Sequence, residues 1–463
     1  MTTVPSYVSL LIPASSSCRP RTPMDPPFIN RLPPELLVTI TTFITNQDTI
    51  FRLTTVCRYW HDALTGAATL WTSIDCRSES RTSILLQRSK SNPIDITIDH
   101  FVPGGVSLIA NHIHRMRSIE MSLPPHHLGE VRSLFNGSAP ILETMRMQGR
   151  GEDSSAPTEA FPPYSSFFQG QFPALRTLHF AGYPFDLTQS TPVITSGLTT
   201  LTLDNQRHHR LHHLLEWLEH CDNLVHLRVD LPNLQETVPA SRMVTLPNLR
   251  ELWLVHWPLA ALRHLSFPPS TTLSIRSRAE RRVGRYPVTA LWAEERLPGI
   301  LESRIVEGIE MVFDKSSCVV AFVGPRLLLL EEVKADLSHE DSIFSDILDS
   351  FQLLPISATT ILRFLQPPQY PFTGTFRRQS CIRLLRQMSA LEQITLDNSV
   401  AWNFIRALES TDGGVLCPNL RALTVIRRAG YEVGIWGSLL DLSNLRKDRG
   451  CPLVCDMVSP CFT

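Results

Sequence analysis

Two periodicities divide the chain, one helical near the N-terminus and one strand-like beyond it. The first runs through INRLPPELLVTITTFITNQDTIFRLTTVCRYWHDALTGAATLWTSIDC. Pro33 and Pro34 stand where a helix can begin without losing a hydrogen bond, and Glu35 suits the positive end of its dipole. Leu36, Ile40 and Phe43/Ile44 then recur at helical spacing as one apolar stripe. Asn46 is expected to end that helix and Asp48 to cap the next. Leu53, Val56/Cys57, Trp60 and Leu64 make a second stripe, through two short helices with a bend between them. Leu70, Trp71 and Ile74 close the segment. So small a set of helices buries its own apolar surface poorly, which predicts a helical module with something to bind.

Beyond it, the pattern apolar-x-x-apolar-x-apolar returns irregularly. It occurs at Met116/Ile119/Met121, Leu142/Met145/Met147, Leu175/Leu178/Phe180 and Leu198/Leu201/Leu203. Leu224/Leu227/Val229, Leu249/Leu252/Leu254, Leu391/Ile394/Leu396 and Leu420/Leu423/Val425 follow. Starts are 26, 33, 23, 26 and 25 residues apart in the first group and 29 in the last pair. The final two apolar positions of each copy put both side chains on one face of a strand. Pro140, Pro173, Pro247 and Pro418 each stand two residues before a copy, where a helix has to stop. Between strands lie amphipathic stretches carrying Leu211, Leu214, Leu215 and Leu218, or Ile382, Leu385 and Met388. Strand, turn and helix in repetition predict an α/β solenoid. Residues 255–388 are weakly phased: Leu265/Phe267 and Leu273/Ile275 read as short strands, and Val306/Ile309/Met311 as a further copy.

On such strands the residues between the inward leucines face the concave surface. They include Arg176, Thr177 and His179; Thr199, Thr200 and Thr202; His226 and Arg228; Arg250, Glu251 and Trp253; and Arg421, Ala422 and Thr424. Tryptophan and arginine dominate interface energetics. Trp253, flanked by Arg228 and Arg250 and joined by Arg176 and His226, is therefore the expected centre for binding a target protein. The competing reading covers Trp253 with a loop or with Trp257.

Composition narrows the classes. Of 463 residues, 43% are apolar and 19% charged, the balance of a soluble globular chain. Lys plus Arg (43) nearly cancels Asp plus Glu (44), so no basic field points to nucleic acid. The 35 prolines against 21 glycines suit short elements joined by stiff turns. Ten scattered cysteines fit a reducing compartment. The N-terminal stretch has no basic region before its short apolar run, which Pro13 breaks, so it reads as a flexible tail. Cys318 to Leu330 contains Gly324, Pro325 and Arg326, which argues against a membrane span. Cytoplasm, nucleus or both is the expected location.

The order Leu-Pro-x-Glu-Leu-Leu, Ile40, Val56-Cys57-Arg58-x-Trp60 and Leu70-Trp71 resembles the F-box motif. Ile50 and Phe51 replace the more usual leucines, and Ala68 stands where proline is common. The resemblance implies docking on the Skp adaptor of Skp–cullin–F-box ubiquitin ligases. Leu32, Pro33, Glu35, Leu36, Leu37 and Ile40 would form much of the docking face, with Val56, Cys57, Trp60 and Trp71 supporting or joining it. The repeats resemble divergent leucine-rich repeats like those that follow F-boxes in many fungal proteins, although the usual asparagine is missing from every copy. The expected organisation is a tail over 1–24, an F-box over 25–75, the solenoid over 76–445 and a tail over 446–463.

Other constellations carry less. His208/His212 and His209/His213 lie four residues apart, but no glutamate completes a protease motif, so a solvated helix face is the reading. Cys451, Cys455 and Cys461 fit no zinc spacing and read as free thiols in a mobile tail. Arg276, Arg278, Arg281, Arg282 and Arg285 read as a charged surface loop. Neither a phosphate-binding loop nor a nucleophile elbow occurs. No catalytic residue, metal or cofactor is expected. The alternatives are a Skp-binding protein without a ligase role, an enzyme with its site in 255–388, and an adaptor that has lost its target surface.

Overall fold

The computed structural model describes residues 32–44, 46–135, 137–149, 171–182, 197–204, 211–231, 242–255, 262, 264–280, 306–313, 317–324, 327–334, 348, 356–365, 377–410, 414–427 and 434–458. The chain divides into two units, residues 1–72 with 85–92, and residues 73–84 with 93–463.

The first unit is helical. Helix α1 spans Pro34–Thr42, α2 Gln47–Leu53 and α3 Arg58–Gly66, and a 3-10 turn covers Ala68–Trp71. Pro34 takes the first helical turn, where its missing N–H costs no hydrogen bond. The expected boundary at Asn46 is corrected: α1 stops at Thr42, and Asn46 caps α2, its Oδ1 accepting from the Asp48 N–H at 2.9 Å. A short amide at this position satisfies a donor that no helical carbonyl reaches. Leu37, Ile50, Trp60, Leu64, Leu70 and Trp71 form the core. The Trp71 Nε1–H donates to the Leu64 carbonyl at 2.9 Å, and the Tyr59 hydroxyl donates to the Leu32 carbonyl, tying the entry to α1 against α3. Residues 85–92, expected within the repeats, belong to this unit instead. They bring Arg88 to 4.5 Å above the Trp71 ring, and Lys90 Nζ donates to the Gly66 carbonyl at 3.2 Å.

The second unit carries the strands. In order they are β1 (Ser73–Asp75), β2 (Ile94–Ile98), β3 (Met116–Leu123), β4 (Thr144–Gly149), β5 (Thr177–Ala181) and β6 (Thr200–Asp204). Next come β7 (His226–Asp230), β8 (Val244–Thr245), β9 (Glu251–Val255), β10 (Leu265–Ser266), β11 (Thr272–Glu280) and β12 (Gly308–Phe313). The last are β13 (Ser317–Gly324), β14 (Leu327–Lys334), β15 (Ile361–Leu365), β16 (Gln393–Asp397), β17 (Ala422–Ile426) and β18 (Val454–Val458). Helices Leu211–Leu218, Arg378–Gln387, Asn398–Leu408 and Ile435–Asp448 lie between strands.

Among the described residues sixteen strands make one sheet, and a separate parallel pair joins β8 to β10. From β1 to β11 the large sheet follows chain order, with every pairing parallel. In that stretch it is apolar on one face. Ile96, Ile119, Met145, Leu178, Leu201, Leu227, Leu252 and Leu273 fall side by side and are all buried. The alternate residues are mostly polar and half-buried or exposed, so this parallel sheet departs from the usual burial of both faces.

The weakly phased stretch breaks the simple order. Strand β12 lies beside β15, then β13 and β14 return antiparallel until β14 pairs with β11. The described residues of the apolar stretch read as Cys318 to Leu330 thus belong to two antiparallel neighbours in the sheet, β13 and β14. Two further expectations are corrected. Val454–Val458, placed in a C-terminal tail, pairs with β17 as the last strand, so Cys455 is held half-buried. Arg276 and Arg278, read as loop residues, belong to β11, while Arg281, Arg282 and Arg285 lie outside the described residues. Among the described residues no helix is long and apolar enough to cross a membrane.

Candidate functional site

The residues singled out in the helical unit separate by exposure. Leu36, Ile40 and Val56 are 50%, 53% and 59% exposed, and Pro33 and Glu35 are exposed as well. Leu32 and Cys57 are half-buried. Leu37, Trp60 and Trp71 are buried. Leu37 was expected on the docking face and is corrected to the core, because one residue along a helix turns a side chain by about 100° away from its neighbour's direction. Sequence reasoning put Phe43 on the apolar stripe but not among the docking residues, and it is 81% exposed at the end of α1. Its signal was present: Leu36, Ile40 and Phe43 stand at i, i+4 and i+7, one face of a helix. An apolar stripe this open is costly in water unless something covers it.

Threonine hydroxyls on α1 donate to its own backbone. Thr39 reaches the Glu35 carbonyl at 2.8 Å, Thr41 the Leu37 carbonyl at 2.8 Å and Thr42 the Thr39 carbonyl at 2.7 Å. These polar groups are thereby satisfied within the helix and leave the stripe apolar.

The five residues expected to meet a target fall into two places. Arg228 and Trp253 are in register on β7 and β9, with the guanidinium 5.9 Å from the ring centroid. His226 Nδ1 lies 3.2 Å from Glu251 Oε2 on the same face. Together with Thr202 they line a cleft of about 220 Å³. Trp253 is 43% exposed there, and Trp257 lies outside the described residues. Asp204 anchors the cluster: Arg228 Nε–H donates to its Oδ1 at 2.8 Å and His179 Nε2 lies 3.3 Å from Oδ2. Burial alone would raise the Asp204 carboxyl, but the His179 and Arg228 side chains beside it bring it below its usual value.

Arg176 and Arg250 are elsewhere, which corrects the single-centre expectation. They precede β5 and β9 and line a separate groove with Thr199 and Val225. Trp253 lies three positions beyond Arg250, and an odd spacing along an extended chain sends side chains to opposite sides.

Burial pushes the Cys221 and Cys417 thiols up to about 12, which suits structural rather than reactive cysteines. His208 and His209 lie outside the described residues, and among those described no group of three or more His, Cys, Asp or Glu is placed to hold a metal ion.

No curated protein matches the chain. Residues 29–77, which hold α1 to α3 and the buried Trp71, match the F-box-like family, and the chain therefore carries an F-box-like domain at its helical end.

Proposed function

We propose that this chain is a substrate-recognition adaptor of a Skp–cullin–F-box ubiquitin ligase. The observation that carries the reading is the exposed stripe of Leu36, Ile40 and Phe43 on α1, inside the F-box-like match. The Skp adaptor covers that stripe with Leu32, Pro33, Glu35 and Val56, while Leu37, Trp60 and Trp71 hold the helices beneath it and half-buried Cys57 sits at their bend. Cullin is engaged through Skp. The strand-rich unit acts as a divergent leucine-rich-repeat solenoid and holds a target protein on Trp253, Arg228 and His226. The mechanism is approximation: tethering raises the local concentration of target lysines at the conjugating enzyme, and no side chain here needs to catalyse. The complex works in cytoplasm or nucleus.

Affinity purification with cullin activity blocked tests this, comparing the intact chain with a Leu36→Arg/Ile40→Arg variant. Arginine keeps helix propensity at positions already half open to solvent. The variant should lose Skp and cullin while retaining its other partners. Recovery of the same proteins with both chains, or of no Skp with the intact one, would refute the reading.

A further inference from the structure

A groove of about 660 Å³ runs along the edge of the sheet where β5, β6, β7 and β9 begin. The residues immediately before those strands are Arg176, Thr199, Val225 and Arg250. Backbone hydrogen bonds line them up: the Thr199 N–H donates to the Arg176 carbonyl at 2.9 Å, Val225 to Thr199 at 2.8 Å and Arg250 to Val225 at 2.8 Å. Two exposed arginines thus bracket a neutral floor. With neighbouring strands about 4.8 Å apart, three steps separate their backbones by roughly 14 Å.

Arg176 is seated. Its Nη1–H donates to the Gly197 carbonyl at 2.8 Å, and a Cβ at Gly197 would stand 2.8 Å from that nitrogen. The absence of a side chain at Gly197 is what makes room for the guanidinium. Asn223, Asn248 and Ser270 complete a polar wall, and no carboxylate is among the lining residues.

We propose that this groove binds an acidic protein segment in extended conformation, through two carboxylates four residues apart. An extended chain rises about 3.4 Å per residue and repeats its side-chain direction every second residue. Residues i and i+4 therefore point the same way at roughly 14 Å, the backbone spacing of the two arginines, and each carboxylate can take a paired guanidinium contact. A chain of net charge −1 offers no extended basic field, which favours a protein segment over nucleic acid. The groove is separate from the Trp253 face, and its failure would leave the Skp reading standing.

The test is fluorescence anisotropy of the full chain with the labelled peptide Gly-Glu-Thr-Val-Thr-Glu-Gly and its counterpart with both glutamates replaced by glutamine. Saturable binding of the acidic peptide is expected, at least about tenfold weaker for the glutamine peptide and for Arg176→Ala or Arg250→Ala. Gly197→Ala should weaken it too, by displacing the Arg176 guanidinium, whereas Arg228→Ala on the other surface should not. Arg250→Ala decides the matter if Gly197→Ala fails to fold. Absence of saturable binding, equal affinity for both peptides, indifference to the two arginine variants, or equal competition by a single-stranded oligonucleotide would each overturn the proposal.

Discussion

The Arg88 guanidinium lies 4.5 Å from the centroid of the Trp71 ring and 5.4 Å from that of Phe51, whose own ring is 5.1 Å from Trp71. The cation therefore packs on two aromatic rings of the helical unit, buried Trp71 and half-buried Phe51, and burial lowers its pKa below the ordinary arginine value. Arg88→Ala should destabilise the helical unit by about 1–2 kcal/mol, from lost cation–π attraction and lost packing. Trp71→Ala, which empties a fully buried site, should cost about 3–5 kcal/mol. Urea unfolding followed by tryptophan fluorescence would measure the first, and circular dichroism the second.

Neighbouring leucines on α1 should behave in opposite ways. Leu37 is 1% exposed, so Leu37→Ala should cost about 2–5 kcal/mol. Leu36→Ala should change stability by no more than about 0.5 kcal/mol, since its side chain is half in solvent. Denaturant midpoints of the two variants give the comparison.

Asp204 makes stability depend on pH. Its folded carboxyl titrates below the unfolded value of about 3.9, so the stabilisation is fully present above that value and is lost as the pH falls through the lower folded one. Because Arg228 is about half exposed, the contribution is discounted to about 0.5–1 kcal/mol. Asp204→Asn should be less stable at neutral pH, and the difference from the intact chain should vanish on acidification. Thermal midpoints between pH 7 and pH 2 would show it.

The buried thiols should be silent in the native state. With Cys221 and Cys417 pushed up to about 12, iodoacetamide at pH 8 should leave both unlabelled until the chain is unfolded. Peptide mass spectrometry before and after denaturation reads the outcome.

How much was legible follows from particular residues. The strands β3 to β7 and β9 announced themselves because each has a leucine or methionine three residues before its inward pair. Strand β15 did not, because Thr359 occupies that position, in line with Val306 and Leu391 in the neighbouring strands. It is fully buried all the same, its hydroxyl donating to the Val306 carbonyl at 3.1 Å, a bond that no apolar pattern registers. The antiparallel pair β13 and β14 was hidden for the opposite reason: a nearly continuous apolar run has no period to read. At the candidate docking face, sequence gave the stripe but could not say which side of α1 meets the core. That depends on α3 and on Tyr59 reaching Leu32, a contact 27 residues away in the chain. Arg88 was invisible because cation–π packing across 17 residues leaves no local pattern.

Isothermal titration of the purified full chain with purified Skp adaptor tests the central claim most directly. Half-exposed Leu36 and Ile40 are taken as anchors, each worth about 2 kcal/mol or more, so Leu36→Arg/Ile40→Arg should weaken binding by at least about a hundredfold with the thermal midpoint unchanged. No heat of binding from the intact chain, or equal affinity for the variant, would contradict it.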